Sequence, residues 1–202
     1  PSSASTALKD AVLAPTGDVT IVNKTVSGSQ TAYGTGTVDV NANGAATVSV
    51  TGGNLDTVID IQSTLATGGA NAGKAVGTST LKNVVIDNQQ AGGAVAIRSD
   101  ALESLTVTNQ KGAVNDVITI TNNTAAHALT ITQGGNSTTG STVQIVDAKA
   151  GSLTITDNGT ASTNVLLVDA VKATAVTVNN AAAASLSLSG VSTAIATVSV
   201  KG

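Results

Sequence analysis

The chain has 202 residues, of which 41% are hydrophobic and 10% are charged, and its formal net charge is −3. It contains one Tyr and no Phe, Trp, Met or Cys, which excludes disulfides, thiol chemistry and an aromatic core. Nucleic acid is not an expected partner, because the sequence has neither a basic stripe nor an aromatic platform. No apolar run is long enough to predict a transmembrane segment. We interpret the chain, which begins at Pro1, as a mature product or a piece of a longer protein.

Residues 1–17 are predicted to form an N-terminal cap or a flexible segment. Within them, residues 4–14 (ASTALKDAVLA) have the composition of a short helix that stops before Pro15. Repeat architectures need a covering of this kind on their first repeat. Residues 18–202 are predicted to form a single elongated β-repeat domain, with a Gly-rich loop at residues 66–78.

From residue 18 onwards the chain repeats a short pattern in which two apolar residues flank one other residue, which is often polar. Leu153-Thr-Ile155 is an example, and this period of two predicts strands with one buried and one solvated face. Asn or Asp often follows four places after the first apolar residue, as Asn88 and Asn109 do, which predicts corners. Every second strand belongs to a series with a mean step of about 22 residues. The series comprises Val19, Val38, Ile59, Val84, Leu105, Leu129, Leu153, Val176 and Val198.

Two architectures are compatible with this period. The favoured one is a β-solenoid, similar to a parallel β-helix, in which each coil of about 22 residues contains two strands and Leu105, Leu129 and Leu153 stack in one buried column. The alternative is an antiparallel β-sandwich, in which the same strands pair as hairpins. The two-strand period and a core made only of small aliphatic residues favour the solenoid.

Few side chains in this sequence are suited to catalysis. His127 is the only imidazole and is predicted to lie at a solvated corner. No nucleophile elbow is present. Asp39 and Asp60 are predicted to point outward from adjacent coils, roughly 5 Å apart, which suits two surface carboxylates better than an acid–base pair. We therefore predict that the chain is not an enzyme.

Calcium is the one cofactor that the sequence suggests. Asp-rich turns of the form Gly-Gly-x-Gly-x-Asp bind it in repeat proteins, and the nearest approach here is GGNLDTV at residues 52–58. We take Asp56, Asp147 and Asp157 as the candidate ligands.

A second candidate site is an array of Thr-x-Thr pairs on the outward face of the strands. It resembles the water-ordering face of β-helical ice-binding proteins, although Thr is also the polar residue that strands favour most. Its members are Thr106, Thr108, Thr130, Thr132, Thr154 and Thr156.

The repeats ALESLTVTN, TLKNVVIDN and NNTAAHALTI resemble the Thr/Ala/Val-rich β-strand repeats of bacterial S-layer proteins and of surface adhesins exported by type I secretion. The similarity covers residues 18–202 and lies in composition and a loose strand motif. It implies a secreted protein at the cell surface, commonly assembled with calcium. The sequence departs from these families in lacking an array of Gly-Gly-x-Gly-x-Asp turns.

The expected function is therefore structural. We predict an extracellular subunit or segment of a bacterial surface layer or filament that self-assembles into a homo-oligomer, with cell-surface polysaccharide as a further partner. Two alternatives remain: a spacer or binding module of a large secreted adhesin, and ice binding through the Thr-x-Thr face.

Overall fold

The computed structural model describes residues 8–12, 18–27, 30–33, 37–42, 45–60, 79–109, 115–134, 142–158, 165–180, 185–188 and 196–201. Every regular element within these ranges is a β-strand. Sheet A contains β1 (Leu8–Val12), β5 (Thr37–Asn41), β7 (Asn54–Ile59), β9 (Ala94–Arg98), β11 (Asn115–Thr121), β13 (Thr142–Val146), β15 (Val165–Asp169) and β17 (Ser185–Ser187). Sheet B contains β2 (Val19–Val22), β6 (Thr47–Thr51), β8 (Asn83–Asp87), β10 (Ser104–Thr108), β12 (His127–Gly134), β14 (Ala150–Asn158), β16 (Ala175–Asn180) and β18 (Thr197–Lys201). A separate hairpin is formed by β3 (Lys24–Ser27) and β4 (Gln30–Tyr33).

The two 8-stranded sheets are the two sides of a β-solenoid, as the sequence predicted. One coil is a strand of sheet A followed by a strand of sheet B, and each strand pairs in parallel with its equivalents in the neighbouring coils. For example, β12 lies between β10 and β14 in sheet B. Parallel pairing between strands that alternate along the chain rules out the antiparallel sandwich. Seven steps of about 4.8 Å separate the first coil from the eighth, or roughly 34 Å.

The assignment of strands to a single series was wrong at two positions. Val38 lies in β5 and Ile59 in β7, both in sheet A, whereas Val19, Val84 and the later members begin strands of sheet B or lie within them. The reason is that two connections are much longer than the others. The β3–β4 hairpin separates β2 from β5, and residues 60–82 separate β7 from β8, so a constant step of about 22 residues moves the series into the other sheet.

The predicted Leu column was also wrong in one of its two steps. Leu129 does pair with Leu153, but Leu105 pairs with Ile131, two residues further along β12. The connection from sheet A to sheet B is longer in this coil. Ten residues separate Thr121 from Ile131, against seven between their partners Arg98 and Leu105.

The predicted N-terminal helix was wrong over residues 8–12, which form strand β1 and pair with β5. The remainder of that helix and the loop predicted at residues 66–78 lie outside the described residues. The domain boundary at residue 17 stays a prediction.

The core lies between the two sheets and is one continuous cluster of Ala, Val, Leu and Ile. Alternation places these residues inside: in β13, Val143 and Ile145 are buried while their neighbours are half-buried. Each fully buried aliphatic side chain stabilises the fold by about 1.5–3 kcal/mol relative to an exposed one. Because the side chains are short, the core contains a single regular layer and needs no aromatic residue.

Corners between the sheets use left-handed backbone where the chain reverses. Asn88 and Asn109 have φ of 55° and 51°, which confirms the two corner residues predicted from their side chains. Coils also approach each other closely at a glycine. A Cβ at Gly151 would lie 2.7 Å from the Cα of Ala126, whose own φ is 54°. That corner therefore packs only with Gly at position 151.

Candidate functional site

The outward face of sheet B carries regular rows of small polar side chains. Parallel pairing places Ser104, Thr130, Thr154 and Thr177 in one row and Thr106, Thr132, Thr156 and Asn179 in the next. Side chains in a row are about 4.8 Å apart, and the rows are separated by two residues of strand, or about 6.6 Å. Four successive coils therefore present a grid of hydroxyl groups that ends in one Asn.

The structure changes the predicted pairing within this Thr array. Thr106 lies beside Thr132, not beside Thr130, and Thr108 lies beside Gly134. Thr108 also lies outside the grid because its hydroxyl donates to the Oδ1 of Asp87 at 3.0 Å. The register instead adds Ser104, so this coil contributes Ser104 and Thr106 to the grid in place of Thr106 and Thr108.

The three candidate calcium ligands lie in three different environments. Asp56 is exposed in β7, beside an irregularity in its pairing with β5. Asp147 is buried at a corner, where its Oδ1 accepts the backbone N–H groups of Lys149 and Ala150 at 3.0 and 3.1 Å. Asp157 is buried inside β14 and is not a turn residue.

These three residues do not come together. Among the residues that the structure describes, no group of three or more His, Cys, Asp or Glu is placed to hold a metal ion. Calcium binding stays a prediction.

Asp39 and Asp60 do not form the surface pair that the sequence suggested. Asp39 pairs with Thr57 in the ladder and accepts a hydrogen bond from its hydroxyl at 2.7 Å. Asp60 is only 1% exposed. Its Oδ2 accepts from the N–H groups of Thr80 and Leu81 at 2.8 and 3.0 Å and from the hydroxyl of Ser99 at 3.0 Å. Asp60 therefore joins the end of the long connection to the next coil.

Asp60 belongs to a column of small buried side chains at the corners from sheet A to sheet B. Each member directly follows the last residue of a sheet A strand. The members are Ala42, Asp60, Ser99, Asn122, Asp147 and Ala170. The backbone ladder continues through this position, since Asp60 N donates to Arg98 O and Ser99 N donates to Thr121 O. Backbone hydrogen bonds thus continue from the strands into these corners.

His127 is not the solvated residue that the sequence predicted. Its side chain is 7% exposed and links two coils, with Nε2 2.8 Å from the Oδ2 of Asp147 and Nδ1 2.9 Å from the carbonyl of Thr124. Both ring nitrogens therefore face acceptors. When Asp147 is ionised, both contacts are hydrogen bonds only in the doubly protonated imidazolium form. The pair is a buried structural link between corners.

Sequence reasoning missed three buried polar side chains inside the coils. Asp116 is 2% exposed, Gln89 is 2% exposed and Gln133 is 1% exposed. Alternation could have found Asp116, because it lies two residues before Ile118 and so on the same inward face of β11. Burial raises the pKa of the Asp116 carboxyl to about 6, against the lowering effect of its hydrogen bonds with Gln89 and Gly93.

Comparison of the chain with protein-family models, with curated proteins and with solved structures found no significant match. In the part of the chain that the structure describes, no helix is long and apolar enough to cross a membrane.

Proposed function

We propose that this chain is an extracellular structural rod, a subunit or segment of a bacterial surface layer or filament, that assembles with further copies of itself. The observation that carries the proposal is the pair of parallel sheets whose outermost strands have one unpaired edge within the described residues. Such an edge presents a row of N–H and C=O groups that pair readily with another strand.

The two edges of sheet B match each other in pattern. β18 reads Thr-Val-Ser-Val-Lys and alternates throughout, and β2 reads Val-Thr-Ile-Val and alternates as far as Ile21. A parallel contact between β18 of one copy and β2 of the next would continue both the ladder and the alternation. The core would then continue from one rod into the next without a new kind of interface.

The edge of β18 offers a direct test. In sheet B the row that contains Ser199 donates its N–H groups to the preceding coil, as Thr130 N does to Glu103 O, while the alternate N–H groups point to the following coil, as Asn109 N does to Gly134 O. The N–H of Val200 therefore faces the free edge. We expect Val200→Pro to abolish assembly, because proline removes this donor while being tolerated on an edge strand. Val200→Ala keeps the donor and is the matched control.

Assembly is measured by electron microscopy and light scattering over a concentration series, with calcium and with a chelator. Ordered arrays or fibres from wild type and Val200→Ala, but not from Val200→Pro, are the expected result. Dispersed single particles under every condition would reject assembly and favour the spacer of an adhesin. Arrays that form only with calcium would support the proposed cofactor, and binding of polysaccharide is measured on the same samples.

The hydroxyl grid of sheet B favours a second candidate function, ice binding. Its spacing is regular in two directions over four coils, which is the property that ordering of surface water requires. A bulky substitution in the grid, Thr154→Tyr, is expected to abolish thermal hysteresis. Thr119→Tyr, an exposed position on sheet A, is the matched control. Absence of thermal hysteresis in the wild-type chain would reject this candidate and leave the structural proposal unaffected.

A further inference from the structure

Gln89 and Asp116 form a buried pair that joins a corner to the start of a strand. Gln89 lies in the corner that leads from β8 to β9, and Asp116 lies in β11 of the next coil. The Nε2 of Gln89 donates to the Oδ1 of Asp116 at 2.8 Å, and the N–H of Gly93 donates to the same oxygen at 3.2 Å. Each side chain is 2% exposed.

Two oxygen atoms of this pair accept no hydrogen bond. The Oδ2 of Asp116 and the Oε1 of Gln89 are both buried and have no hydrogen-bond partner. Both are acceptors when Asp116 is ionised, so neither can satisfy the other. A buried polar atom without a partner costs about 1–3 kcal/mol, and more where a charge is involved.

One proton on the Oδ2 of Asp116 supplies the donor that both atoms lack. A carboxylic acid and a primary amide have the same planar shape, with two polar atoms on one trigonal carbon. A pair joined through Nε2 and Oδ1 can therefore close through Oδ2–H and Oε1 into a cyclic acid–amide pair. Protonation would satisfy two buried atoms at once and remove a charge from the core.

The elements packed against Asp116 carry few other ionisable groups. Arg98 lies at the opposite end of β9, and His127 lies at the opposite end of β12. Asp87, at the end of β8, is engaged with Thr108, Asn88 and Asn109. Asp157 lies inside the core at the end of β14. Among the described residues, no cation on β9, β11 or β13 faces the Asp116 carboxylate from nearby.

We propose that Asp116 and Gln89 form a proton-dependent latch, closed when Asp116 is neutral, that holds the corner at residues 88–93 against β11. Ionisation of Asp116 opens the latch by leaving both oxygens unpaired and a charge in the core. The stability of the rod then depends on pH through this internal pair. The latch is a property of one rod, and its test is independent of assembly or ice binding.

The direction of the effect follows from the raised pKa of Asp116, from 3.8 to about 6. Between these two values the folded chain holds a proton that the unfolded chain releases, so stability falls as pH rises. The contribution is fully present below the pKa of 3.8 and is lost once pH passes about 6. A shift of about two pKa units corresponds to roughly a 100-fold decrease in the folding equilibrium constant.

The decisive variant is Asp116→Asn. Asn has the same shape, accepts from Gln89 through its oxygen and donates to Gln89 through its amide, so it closes the latch at every pH. We expect the variant to lack the 100-fold loss between pH 4 and pH 8 and to be more stable than wild type at pH 8. Asp56→Asn, which removes an exposed carboxyl, is the matched control and should keep the wild-type dependence.

Folding equilibrium constants are obtained from urea unfolding of the whole chain at constant ionic strength. Independently of any variant, the carbon-13 shift of the Asp116 carboxyl in the folded wild type should titrate with a midpoint near 6. A midpoint at or below the ordinary value for Asp would overturn the latch. So would an Asp116→Asn variant that folds and retains the full pH dependence. If this variant does not fold, the wild-type titration alone decides the question.

Discussion

The strand register in the core can be tested by deleting one buried side chain. Ile131 is 0% exposed and lies in register between Leu105 and Ile155. Ile131→Ala removes three carbon groups, which costs about 2.5 kcal/mol at roughly 0.8 kcal/mol each. The cavity adds to this loss, so we expect a total of about 2.5–5 kcal/mol. Thr130→Ala, on the exposed face of the same strand, should cost no more than about 0.5 kcal/mol.

A double-mutant cycle then identifies the neighbour of Leu105. Because Leu105 pairs with Ile131, their substitutions by Ala should couple by about 0.5–3 kcal/mol. Leu129 lies diagonally from Leu105, so that cycle should give a smaller coupling energy. Urea unfolding followed by circular dichroism gives each free energy of unfolding. A larger coupling of Leu105 with Leu129 than with Ile131 would show that the register described here is wrong.

Three further substitutions test the corners, each measured as a change in the free energy of unfolding. Gly151→Ala should cost about 1–3 kcal/mol, because its Cβ would overlap Ala126 in the corner of the preceding coil. Gly93→Ala, whose Cβ would have no atom within 4 Å, should be tolerated, and equal losses for the two variants would contradict this packing. His127→Ala should cost about 1–3 kcal/mol, because the Oδ2 of Asp147 loses its imidazole partner. An unchanged free energy of unfolding would show that this link contributes nothing. Asp60→Ala should cost at least as much as His127→Ala, since it leaves the backbone N–H groups of Thr80 and Leu81 without their acceptor. Wild-type stability in this variant would mean that other groups accept these two hydrogen bonds.

Much of the site could not be predicted, for reasons visible in single residues. Alternation around Ile118 places Asp116 on the inward face, so its burial was readable from the sequence. Its partner was not, because Gln89 lies in a corner with no period and reaches Asp116 only when coils stack. His127 was predicted to be solvated because residues before a strand usually are, yet its ring contacts Asp147 of the next coil. Local pattern carries no information on contacts of this kind.

The sequence by itself determined the class of fold: a stack of short strands, two to a coil, around a thin aliphatic core. This follows from a side-chain period of two and from the absence of aromatic residues, which are properties of each strand alone. Only the tertiary structure decided which strands are neighbours and in which register. That choice depends on the length of the connections. Long connections place Val38 and Ile59 in sheet A, and a longer connection in one coil pairs Leu105 with Ile131. A strand's alternation specifies its buried face, but its partner is selected only when the coils close and their ladders form.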